Sequence, residues 1–130
     1  MIQINRFAET FNNFSELLSG MVSGHRIEKK IPVEEFLETL TNYNREDIFC
    51  TKHTFFRLSE EQRNVFKCDT IRDFLLGQTP KLVGVQFNQL YAVFYPHKKG
   101  EFIRIVLDIH PRKIEVVTFY ILDPTQLPRL

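Results

Sequence analysis

The sequence predicts an α+β fold, with N-terminal helices packed on one face of an antiparallel meander sheet of about four to five strands. Three observations carry this expectation. Apolar residues recur at helical spacing near the N-terminus and again before Gly77. From Lys81 onward the period changes to two. The length, 130 residues with 43% hydrophobic and 25% charged side chains, suits one domain with one core.

Phe7, Phe11, Phe14, Leu18 and Met21 step by fours and threes, which is one face of a helix. That helix is expected from about Asn5 to Ser19, with Asn5 as its cap and Gly20 as its exit. Pro32 followed by Glu34 and Glu35 marks a second start, because proline suits a first turn and carboxylates suit the positive end of the helix dipole. Val33, Phe36, Leu37 and Leu40 form its apolar stripe. The charged link Gly24 to Lys30 reads either as a loop or as a short edge strand.

Asp47 to Thr51 clusters β-branched and aromatic residues without helical spacing, so a short strand is expected. A helix should begin soon after Thr51 or Lys52, carry His53, Phe56 and Arg57, and break near Asn64. Asp69 caps a further helix that buries Ile71, Phe74 and Leu75 and leaves at Gly77. Four strands follow, Lys81–Phe87, Leu90–Tyr95, Phe102–Ile109 and Ile114–Leu122, joined by polar turns. Ile103, Ile105, Leu107 and Ile109 line one face and Phe102 and Val106 the other, so one face should be buried and the other partly covered. The chain thus divides into an N-terminal helical extension (1–45), a core (46–122) and an extended strap (123–130).

Seventeen basic against sixteen acidic side chains give a net charge of +1, which excludes a strongly basic nucleic-acid protein but not a local patch. Six prolines and five glycines are too few for a disordered or fibrous chain. The apolar runs are strand-length, so no membrane span is expected. No basic stretch precedes an apolar block at the N-terminus, and the expected location is the cytoplasm. In that reducing setting Cys50 and Cys68 are expected as thiols.

The order of parts carries more than any part alone. A short strand precedes His53-Thr54-Phe55-Phe56-Arg57, and a helix ends before Pro80. The strands Tyr91–Tyr95, Phe102–Leu107 and Ile114–Tyr120 close the series. Over roughly Ile48 to Leu122 this order resembles an uncharacterised domain family near the toxin nucleases of RelE and ParE type, whose members open with a His-x-x-x-Arg element after a strand. The resemblance implies a RelE-like fold, RNA as a partner, an antitoxin as a protein partner, and metal-independent endoribonuclease chemistry without a cofactor. Residues 1–45 and the near-neutral charge depart from the family pattern.

Cleavage by attack of the ribose 2′-hydroxyl on its own phosphate needs a base, an acid and cations for the developing charge. His53 and Arg57 can supply an imidazole and a guanidinium one helical turn apart; equally, His53 can buttress the helix while Arg57 pairs with Glu61. His110 and Tyr120 complete the catalytic candidates, with Arg112 and Lys113 gripping phosphate. The same turn also reads as a solvated hairpin tip. Arg104 marks a substrate surface or reaches water along its aliphatic stem. Tyr95 beside Lys98 and Lys99 suits base stacking with phosphate contact, or core packing with a wet hydroxyl. Cys50-x-x-His53 with Cys68 has zinc-like spacing but lacks a fourth donor, so no metal is expected. The rival to an RNA-binding or RNA-cleaving protein is a non-catalytic interaction module or homodimer. An enzyme should bring His53 or His110 within hydrogen-bond reach of a cation inside one cleft.

Overall fold

The computed structural model describes residues 26–128. Its strands are β1 (Ile27–Ile31), β2 (Ile48–Cys50), β3 (Leu82–Gln86), β4 (Tyr91–Pro96), β5 (Phe102–Ile109) and β6 (Ile114–Leu122). The helices are α1 (Val33–Leu40), α2 (Glu60–Val65) and α3 (Cys68–Gly77), with single 3-10 turns at Arg45–Asp47 and Pro124–Gln126. The helix expected over Asn5–Ser19 lies outside the described residues.

The fold is α+β, and β3 to β6 pair antiparallel in sequence order. The sheet is nevertheless larger than a meander of four to five strands. It has six strands in the order β1-β3-β4-β5-β6-β2, and it is mixed, because β2 runs parallel to β6. The charged link takes its strand reading, as β1, and adds antiparallel to β3 at the opposite edge. Gly84 on β3 makes this pairing close: a Cβ there would lie 2.6 Å from Ile27 Cγ2. Ile31 and the α1 residues Phe36 and Leu40 enter the main core, so residues 27–45 are part of the fold rather than an extension of it.

α1 and α3 cover one face of the sheet, where Phe36, Ile71 and Leu75 meet Val93, Ile105 and Leu107. A register shift at Val106/Leu107 makes Val117 an extra residue in β6, so Val116 and Phe119, three apart, both reach this core. The other face carries a smaller cluster of Ala92, Phe94 and Leu122, with Leu82, Phe102 and Leu127 against it.

Two local expectations change. The helix foreseen from Thr51 to Asn64 is a series of turns over residues 52–57, followed by α2. Thr54 explains the interruption: its Oγ1 donates to Val116 O at 2.7 Å, and its carbonyl accepts from Phe119 N at 2.9 Å. β6 thereby takes backbone that a helix would need, and Ser59 restarts the helix by a reciprocal cap with Gln62. Cys50 and Cys68, expected as thiols, form a disulfide that ties β2 to the start of α3 across a sequence separation of 18, which also removes both sulfurs from any zinc site. Among the described residues no helix is long and apolar enough to cross a membrane.

Candidate functional site

The anchored Thr54 gives the segment Thr51–Leu58 a fixed shape. Thr54 and Leu58 point inward, while Lys52, His53, Phe56 and Arg57 are left outside. Phe56 is 72% exposed, with the His53 ring edge-on to it at 5.6 Å. Arg63 on α2 donates from Nε to Phe55 O at 3.1 Å and from a terminal nitrogen to Phe56 O at 3.2 Å. The loop is therefore tied by a cation on one side and by β6 on the other.

Arg57 lies over the Tyr120 ring, its guanidinium carbon 4.2 Å from the centroid. Among the described residues no carboxylate stands within ion-pair distance of Arg57, so the pairing with Glu61 does not form. Directly across the strand pair from Tyr120 sits Arg104, 6.0 Å from the same ring and 5.1 Å from Phe94. Arg104 donates to Gln86 Oε1 at 2.5 Å and is buried. Burial holds its pKa below the ordinary arginine value, opposed by Tyr120 and reinforced by the Arg57 charge. Arg104 thus supports Tyr120 from within, and Arg57 is the guanidinium that solvent meets.

A second group forms where the β5–β6 hairpin turns. His110 Nε2 lies 3.0 Å from Glu115 Oε1 and 3.3 Å from Asp108 Oδ2, and Lys113 Nζ is 3.7 Å from Glu115 Oε2. The Tyr43 hydroxyl donates to the His110 carbonyl, which fixes the turn to the loop after α1. Arg112 is exposed in the turn. Glu115 and Tyr120 stand five residues apart on β6, roughly 16 Å at strand rise, so His110 does not share a site with Tyr120.

A third place is a cleft of about 290 Å³ between α2 and the β4–β5 turn, lined by Val65, Phe66, His97, Lys98 and Glu101. Phe66 holds the His97 ring at 5.5 Å. Lys99 is exposed nearby. Tyr95 does not join these lysines: it is fully buried on the helical face with Phe74 at 5.4 Å, which leaves no ring face for a base.

The foreseen residues therefore fall into separate places. His53, Arg57 and Tyr120 share one neighbourhood through the loop, whereas His110, Arg112 and Lys113 share another. Among the described residues neither His53 nor His110 has a cation within hydrogen-bond reach; one ring meets Phe56, the other two carboxylates. Phe56, expected within a helix, and Asp108 and Glu115 also belong to these places without having been among the candidates. Their signal was present, since Asp108 and Glu115 flank the turn that carries His110. Compared with family models, curated proteins and solved structures, the chain matches none.

Proposed function

We propose that this protein binds single-stranded RNA through the loop Lys52–Arg57 and the adjoining Tyr120. The carrying observation is Phe56, an aromatic ring 72% exposed on a loop whose backbone is pinned to β6 and Arg63. A fixed, exposed ring beside cations is what unpaired bases stack on, while Lys52, Arg57 and Arg63 supply charge for the phosphates. Arg57 spread over Tyr120 extends the platform, because a guanidinium plane can itself stack on a base.

The test is fluorescence polarisation of a labelled, mixed-sequence RNA oligomer with wild type, Phe56→Ala and Arg57→Ala. Both side chains are exposed, so the variants should melt like the parent. Loss of one stacked base, about 1–3 kcal/mol, predicts binding weakened by roughly five- to 150-fold for Phe56→Ala. Absent binding by wild type, or unchanged binding by both variants, would turn the reading to a protein partner for Phe56.

The finer reading is a RelE-like, metal-independent endoribonuclease of toxin type. It is supported by the order of its parts: β2, the loop with His53 and Arg57, the helices α2 and α3, then four antiparallel strands. The same RNA incubated in chelator reads this directly. Cleavage that drops about a hundredfold in His53→Ala supports it, and intact RNA limits the function to binding. The cytoplasmic placement expected from the sequence stands against the Cys50–Cys68 bond, which a reducing compartment would open.

A further inference from the structure

Asp108 and Glu115 are direct partners across β5 and β6, on the same face of the hairpin. Like charges directly opposite one another on neighbouring strands are destabilising, so this pair calls for a cation between them. The His110 ring supplies part of the answer by bringing Nε2 to 3.0 Å from one carboxylate and 3.3 Å from the other. The 3.0 Å contact is a hydrogen bond, and the same spacings also suit ligands of one ion. Ligands bound at about 2.1 Å to one metal ion stand ~3.0 Å apart at an octahedral corner and ~3.4 Å apart in a tetrahedron.

We infer that Asp108, His110 and Glu115 form a binding site for a divalent first-row transition metal. One donor atom from each lies within 4.8 Å of the other two. An imidazole nitrogen with two carboxylate oxygens suits Zn²⁺ or Mn²⁺ better than Ca²⁺ or Mg²⁺, which take oxygen donors. All three side chains are about a third to two-fifths exposed, 41% for Asp108, 37% for His110 and 34% for Glu115, so the ion can enter and complete its shell with water. The donors are held from outside the cluster as well: His110 N donates to Lys113 O at 2.8 Å, and the His110 carbonyl accepts from Tyr43. Lys113 lies against Glu115 Oε2, the oxygen turned from His110, where its charge opposes a metal without blocking the donor. The site is separate from the proposed RNA loop and stands or falls without it.

Isothermal titration of Zn²⁺ into the full chain, in buffer without chelator, tests the site. One ion per chain is expected, with affinity at least tenfold lower in His110→Ala, which removes a donor, and in Glu115→Gln, which replaces an anionic donor by a neutral one. Lys113→Gln should tighten binding several-fold by removing a like charge. Circular dichroism melts establish that each variant is folded; Glu115→Gln, nearly isosteric, keeps the test valid if His110→Ala is not. No wild-type binding would overturn the site, as would stoichiometric binding that folded Glu115→Gln and His110→Ala retain unchanged, because the ion would then sit elsewhere.

Discussion

The Tyr95 hydroxyl is buried on the helical face of β4 and, among the described residues, has no hydrogen-bond partner. Burial pushes its pKa up from the ordinary value near 10. Below pH 10 both folded and unfolded chains keep this proton, and the contribution to stability is full. As pH rises past 10 the unfolded chain loses the proton while the folded chain holds it, so stability falls. Tyr95→Phe removes the group. At pH 7 the variant should match wild type or exceed it by up to about 1 kcal/mol, since it loses only an unsatisfied hydroxyl. Above pH 10 its advantage should widen by about 1.4 kcal/mol per pH unit. Urea unfolding of both proteins at pH 7, 10 and 11 measures this, and a constant gap would mean that the hydroxyl ionises as readily in the folded chain as in the unfolded one.

At the scale of elements, β2 is only three residues long and depends on what ties it down. Arg72 on α3 donates from Nε and a terminal nitrogen to Ile48 O, at 3.0 and 2.8 Å, and the Cys50–Cys68 bond adds a covalent link between the same two elements. Closing a loop of this length in the unfolded chain is worth about 3 kcal/mol. Cys68→Ser, or wild type in reductant, should lose about that much by urea unfolding, and the two should coincide. A loss well under about 1 kcal/mol would mean that Arg72 alone holds β2 in place. The sequence could not reveal this link, because two cysteines carry no local periodicity. Where burial on one face imposes a period, as in α1, α3 and β3 to β6, the elements were legible. β1 was ambiguous because Glu28, Lys29 and Lys30 interrupt its apolar residues, and the Lys52–Arg57 loop was misread because Thr54 is captured by a strand some sixty residues away. Of the candidate site, His53 and Arg57 were legible as residue types suited to RNA. Their placement beside an exposed Phe56 depended on that same distant contact.

For the whole molecule, a net charge of +1 gives little general attraction for a polyanion. The proposed RNA binding must then draw on a local group of cations, here Lys52, Arg57 and Arg63 around Phe56. This sets the salt dependence. Each phosphate neutralised on a single strand lowers the slope of log K against log salt by about 0.7, so three contacts give a slope of about −2. Polarisation titrations from 50 to 300 mM salt should show that slope, and Arg57→Ala should bring it to about −1.4 as one contact is lost. A slope several units steeper would place the RNA on a broader surface that includes Lys98, Lys99, Arg112 and Lys113. A slope near zero would leave Phe56 stacking without phosphate contact, and would remove the cations of the loop from the proposed interface.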